Sequence, residues 1–155
     1  MIGATGNTGR VTAVGARASA APVRAFVRNP SKATDLAAAG VEVVTGDLDD
    51  AANLAAAMHG VEKMCIVTSP DLRLAEVQIA AITVAKAAGV RHIVKPSVLG
   101  ATADAPVLTA RLHHQAEEAL AASGIDWTVL QPNSFMQNFI GSPRRSGPRG
   151  PSTLR

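Results

Sequence analysis

Gly3-Ala4-Thr5-Gly6-Asn7-Thr8-Gly9 carries three glycines at intervals of three, and the residues that follow, Arg10-Val11-Thr12-Ala13-Val14, are compatible with a helix. Glycines in such a run permit a tight turn and let the backbone come close to a guest. The first N–H groups of the helix that follows are unsatisfied donors with partial positive charge. A pyrophosphate suits that combination, so Gly3, Thr5, Gly6, Asn7, Thr8 and Gly9 form a candidate cradle for a dinucleotide. An ordinary glycine turn shares the spacing, and the pattern downstream favours the dinucleotide.

From Val11 to Val129, short β-branched runs alternate with alanine-rich stretches. Val23–Val27, Val41–Val44, Met64–Val67, His92–Val94 and Trp127–Leu130 have the length and apolar content of strands covered on both faces. Many of the 30 alanines lie between them, where they favour helix and close packing on a sheet. Gly40, Gly60, Gly89 and Gly124 each stand where a left-handed residue ends a helix. The rhythm predicts an α/β fold, a doubly wound parallel sheet that binds its ligands beyond the carboxyl ends of the strands. Only Met1 and Ile2 precede Gly3, although a central first strand of about five residues belongs there. That strand is almost missing.

The chain of 155 residues, 47% hydrophobic and 17% charged, is sized for one domain. No apolar run nears the ~18 residues of a membrane span and no basic-then-apolar leader opens the chain, so we expect a cytoplasmic protein with no membrane contact. The lone Cys65 lies in an apolar run and excludes an internal disulfide or a cysteine-rich zinc site; no metal is expected. His59, beside a helix-ending glycine, reads as structural. The net charge of +3 suggests nucleic acid until it is placed: residues 141–155 hold four of the fifteen basic residues and no acid, leaving 11 basic against 12 acidic groups over 1–140. No specific nucleic-acid contact is expected of a folded part that is not basic. Residues 1–140 read as one nucleotide-binding domain, and 141–155, rich in Gly, Pro, Ser and Arg, as a disordered tail.

The glycine turn, Val27-Arg28-Asn29-Pro30-Ser31-Lys32, Gly46-Asp47-Leu48, Gly89-Val90-Arg91-His92-Ile93-Val94-Lys95, Ser123-Gly124-Ile125-Asp126-Trp127-Thr128 and Gln131-Pro132-Asn133 together resemble the NmrA-like family. These are atypical short-chain dehydrogenase/reductases with a Rossmann-like NAD(P)-binding fold. They include quinone-oxidoreductase-like enzymes and redox-sensing regulators that bind cofactor without turnover. Members continue into a C-terminal substrate-binding part that the tail here does not resemble, so the chain reads as cut at both ends.

Arg28 stands 19 residues after Gly9, where an NAD-preferring domain places a carboxylate for the ribose 2′-hydroxyl. A guanidinium there matches a 2′-phosphate, and Lys32 adds a point charge, so NADP(H) is expected over NAD(H); two solvated basic groups at a strand end are the plainer reading. The resemblance puts Asp47 and Leu48 beside the adenine, although Asp47 also suits the start of a turn. The resemblance puts Thr68 and Ser69, which follow the Met64–Val67 run, near the cofactor's middle, where a proline turn explains them equally. Ser97 takes the place of an active-site serine or is a turn hydroxyl.

The usual tyrosine partner of such a serine is absent, since the chain has none. His113-x-x-x-Glu117 occupies its place. At i, i+4 the two share a helix face, and a carboxylate there would orient the imidazole and raise its pKa; surface charge pairing is the alternative. By resemblance, Asn133 and Phe135, with Gln137 and Asn138, line an outer substrate pocket. Gln131 replaces the arginine usual before that proline.

The sequence thus implies the NADP(H)-binding domain of an oxidoreductase whose ancestral reaction passes hydride from NADPH to a quinone or similar carbonyl acceptor. The chain as it stands is expected to show low or no turnover, and a homodimer is one assembly it could form, whose partner would complete the site. A non-catalytic NADP(H) sensor and an inactive fragment are the competing readings.

Overall fold

The computed structural model describes residues 1–135; Gln137, Asn138 and the tail at 141–155 lie outside the described residues. Five strands, β1 (Arg24–Val27), β2 (Glu42–Thr45), β3 (Lys63–Cys65), β4 (His92–Pro96) and β5 (Asp126–Leu130), run parallel. They form a pair, β1-β2, and a triplet, β3-β4-β5. Ile2 joins the two, bridging Phe26 on one side and Ile66 on the other in parallel register. The spatial order is therefore β2, β1, Ile2, β3, β4, β5, the order of a doubly wound sheet with its first strand reduced to one bridged residue.

Two residues carry the centre of the sheet. The Phe26 N–H donates to the Met1 carbonyl at 2.9 Å, the Ile2 N–H to Cys65 at 2.9 Å, and the Val67 N–H to Ile2 at 3.2 Å. The Met1 amine donates to the Arg24 carbonyl. Ile2 is 3% exposed, so its short run lies in the core.

Five α-helices flank the sheet: α1 (Asn7–Ala18), α2 (Thr34–Ala38), α3 (Ala51–Met58), α4 (Leu74–Ala87) and α5 (Leu108–Ala121). The period of two along β1 divides them. Ala25 and Val27 pack with Ala13 of α1 and Leu36 of α2, whereas Phe26 packs on the other side with Leu54, Met58, Ile82 and Leu120 of α3, α4 and α5. Gly40, Gly60, Gly89 and Gly124 all have positive φ, ending helices as expected. On β5, Trp127 and Leu130 remain 49% and 53% exposed. Among the described residues, no helix is long and apolar enough to cross a membrane.

The turn after Ile2 is held by close contact. Gly3 has φ +76°, and a Cβ there would sit 1.8 Å from the Val67 carbonyl oxygen; at Gly9 it would sit 2.1 Å from that of Gly3. Gly15, inside α1, has open space instead. Gly3→Ala should therefore cost about 3 kcal/mol or more through strain and overlap, while Gly15→Ala should stabilise by ~0.5–1 kcal/mol. Urea midpoints compare them directly, and equal effects would show that the turn is not packed as described.

Candidate functional site

The turns that follow Ile2, β1, β2, β3, β4 and β5 gather at one edge of the sheet, and the candidate residues fall on them. The Gly6 N–H donates to Gly3 at 3.1 Å, closing the turn, and the Arg10 N–H donates to Gly6 at 2.8 Å, the first helical bond. Gly6 is the N-cap of α1 and supplies no side chain to it. The N–H groups of Asn7, Thr8 and Gly9 thus precede any intrahelical partner. A Cβ on Gly6 would meet nothing nearer than the Gly3 oxygen at 3.5 Å. Its glycine is not demanded by the protein's own packing, which leaves room for a guest.

Arg28 and Lys32 are both exposed after β1. Their loop is pinned: Asn29 Oδ1 accepts from the Ser31 N–H at 3.0 Å and from its hydroxyl at 2.7 Å, starting the 3-10 turn Pro30–Ala33. Arg10 donates to the Lys32 carbonyl at 2.9 Å and pairs with Asp35, whose carboxyl it holds below the usual carboxylate range. The loop after β2 crosses the Phe26 ring at Gly46, where a Cβ would lie 2.5 Å from that ring. Asp47 does start a turn, accepting from the Asp49 N–H at 3.1 Å, but the cap of α3 is Asp50, which accepts from Ala52 and Asn53 at 2.9 and 3.0 Å. Leu48 is half-buried against the larger core. Arg73, outside the sequence expectations, grips Asp49 through two bonds at 2.6 and 3.0 Å.

Beyond β3, Ser69 is exposed and Thr68 is half-buried, its hydroxyl accepting from Gln78 Nε2 at 2.7 Å. Gln78 is buried, and its Oε1 is the one buried side-chain polar atom without a partner among the described residues. Nothing in its amphipathic spacing on α4 marks it as more than a helix residue.

Ser97, His113 and Glu117 come together around a residue that the sequence offered only within a motif. Lys95 points from β4 into the layer between sheet and α5 with 0% exposure. Its Nζ lies 3.0 Å from His113 Nδ1 and 3.7 Å from Glu117 Oε1. Ser97, 5% exposed, donates its hydroxyl to the same Oε1, and Gln131 Nε2 donates to Oε2 at 3.1 Å. His113 is buried too. Burial, with Lys95 beside it and Glu117 opposing, pushes His113 down to about 4; burial, again opposed by Glu117, pushes Lys95 down to about 8. The expectation that a carboxylate would raise the histidine is thereby corrected: the i, i+4 carboxylate is spent on Ser97, Gln131 and Lys95, and desolvation dominates. The surface pairing considered for His113 occurs one residue on, where His114 meets Glu118 at 3.7 Å.

Asn133 and Phe135 are exposed, and Asn133 Oδ1 accepts from the Ser134 N–H at 2.8 Å. The Ser97 N–H donates to Leu130 at 2.7 Å and the Leu99 N–H to Pro132 at 2.9 Å, holding the two loops side by side. His59 is exposed, and its backbone carbonyl accepts from Arg24 at 2.8 Å. A cavity of about 420 Å³ lined by Val14, Arg17, Ala18, Ala20 and Ala39 lies at the opposite edge, where the strands begin, and not among the loops that follow them. No cluster of metal ligands occurs among the described residues.

A family model described as NAD(P)H-binding matches residues 3–152. The chain is 36% identical over 140 residues to an NAD(P)H azoreductase of Xenophilus azovorans, covering 90% of this chain and 49% of that protein. It is 37% identical over 145 residues to quinone oxidoreductase 2 of Escherichia coli strain K12, covering 92% and 50%. Among solved structures it resembles the Escherichia coli NADPH-dependent quinone oxidoreductase complexed with NADPH, with a TM-score of 0.80, 37% identity and coverage of 90% and 50%. A Citrobacter sp. triphenylmethane reductase complexed with NADP(H) gives 0.77 at 29% identity, covering 90% and 50%. The chain spans about half the length of these relatives.

His113 gives the site an acid signature. The unfolded chain protonates this histidine near its ordinary value of 6.5, the folded chain only near 4, so the unfolded state binds more protons between them. Stability should fall as pH drops through that window, by up to about 3 kcal/mol. His113→Gln should flatten the decline, as read by urea unfolding across the window. Parallel curves for the two proteins would place His113 in a solvated setting instead.

Proposed function

Since the chain belongs to the NAD(P)H-binding family, we propose that it is the nucleotide-binding core of a reductase that takes NADPH in preference to NADH. The ancestral acceptor in this reading is a quinone or similar carbonyl compound. The observation that carries it is the Gly3–Gly9 turn, with an uncapped α1 behind it and Arg28 beside it at the end of β1. The residues present fit such a cofactor: the amides of Asn7, Thr8 and Gly9 suit its pyrophosphate, and Arg28 with Lys32 suits a 2′-phosphate. Asp47 and Leu48 flank the adenine in this reading, Thr68 and Ser69 the central portion, and Asn133 and Phe135 the acceptor.

When bound, the nicotinamide group supplies a hydride. The protein's part is to hold and screen. Ser97 has given its only hydrogen to Glu117, so its oxygen can accept from a ligand but not protonate one. His113 is uncharged at neutral pH and can donate a hydrogen bond without acting as a strong acid. Reduced quinone oxygens are weak bases and need little more. The domain is assigned to residues 1–140, with 141–155 dispensable for its fold.

A binding protein without appreciable turnover is the second reading, favoured by the exposure of Asn133 and Phe135. Hydride transfer needs reacting atoms held within about 3–3.5 Å with water kept out. Stopped-flow oxidation of NADPH with a panel of quinones should show turnover well below about 1 s⁻¹, the low end of ordinary enzymes.

Cofactor choice is tested by calorimetry. NADPH should bind more tightly than NADH, and Arg28→Ala should weaken NADPH by roughly 10- to 150-fold, the ~1.5–3 kcal/mol of a charge-assisted bidentate contact, while leaving NADH unchanged. Equal affinities in the unmutated chain would refute the preference.

A further inference from the structure

Lysine carries three donors and no acceptor while protonated, so whatever lies 3.0 Å from Lys95 Nζ offers a lone pair. For His113 that atom is Nδ1, which must then lack a proton. Both Glu117 oxygens are already engaged, Oε1 by Ser97 and the nearby Lys95, Oε2 by Gln131, so the carboxylate does not set the imidazole directly. Among the described residues, the other surroundings of His113 bring no competing charge. The buried face of α4, against which α5 packs, consists of Leu74, Ala75, Gln78, Ala81, Ile82 and Ala85. Val129 of β5 stands in register with Lys95. Among the described residues, the charged groups acting on His113 are Lys95 and Glu117.

We propose that Lys95 is a positioning residue: from inside the sheet it fixes His113 as a neutral imidazole with its single proton on Nε2. A neutral ring has one donor and one acceptor, and occupying the acceptor with Lys95 leaves only the donor for anything else. His113 then offers a ligand a fixed N–H, taking the place of the absent phenol as a hydrogen-bond donor rather than as a proton store. Its use toward an acceptor rests on the reductase reading above; the tautomer itself does not. The direction of both shifts agrees, since a cation at that distance and burial each oppose an imidazolium.

Nitrogen-15 NMR of the histidine rings tests this on the whole chain, with the His113 signals identified by their loss in His113→Gln. The expected result is the Nε2–H tautomer at neutral pH, with no protonation until well below the ordinary histidine range. In Lys95→Met, similar in length and uncharged, His113 should protonate at a pH at least one unit higher, because Glu117 is then its sole charged neighbour. An Nδ1–H tautomer in the unmutated chain, ordinary titration there, or an unchanged titration in Lys95→Met would each overturn the proposal. Should Lys95→Met not fold, the tautomer of the unmutated protein decides. NADPH titrations on the same samples separate the two readings: absent binding with the expected tautomer would sink the proposed function and leave this inference standing.

Discussion

The sheet depends on the two-sided pairing of Met1 and Ile2. Ile2 bonds to the triplet through the amide it gives to Cys65 and the carbonyl it offers to Val67, while the Met1 carbonyl and amine hold Phe26 and Arg24 of the other half. Backbone groups inside a protein must find partners, and here two residues satisfy those that a full strand would otherwise share. The same two residues deliver the chain into Gly3, so the position of the glycine turn and the union of the half-sheets rest on one short stretch. Its side chain adds to this, since Ile2 and Phe26 belong to the core cluster built by α3, α4 and α5.

Much of this was legible because it is written in backbone terms. Alanine-rich stretches closed by Gly40, Gly60, Gly89 and Gly124 announce helix ends whatever surrounds them, and the apolar runs between them became β1 to β5. The spacing of Gly3, Gly6 and Gly9 likewise carries its geometry with it. What the sequence hid is side-chain chemistry made by crossing elements. The i, i+4 relation of His113 to Glu117 is visible on paper, but burial in the layer between sheet and α5, joined by a lysine from a strand 18 residues earlier, lowers the histidine that the carboxylate alone would raise. A signal was present: in the run from His92, the alternation that buries Ile93 also turns Lys95 inward. Gln78 gave no such sign, because a polar residue on α4 reads as surface until its burial is seen.

Burying a lysine is costly unless it is bonded, and removing one member of such a group leaves the others stranded. The cluster of Lys95, His113, Glu117 and Ser97 is therefore one energetic unit, in which loss of any member strands the others. It occupies the layer between β4 and α5, whereas Arg28, Lys32 and Asp47 sit on the loops after β1 and β2, in the other half of the sheet. The edge divides into a wet side of solvated charge after β1 and β2 and a dry side of fixed hydrogen bonds under β4.

Trp127 lies half-exposed on β5, and it is the single tryptophan of a chain without tyrosine. Nearly all of the protein's intrinsic fluorescence must then originate at one point on one strand. The emission colour of the native state reports the wetness of that surface, and any partner or further segment that settles over β5 would shift it to the blue without a label. The molecule carries its own probe at the strand where its apolar surface is most open.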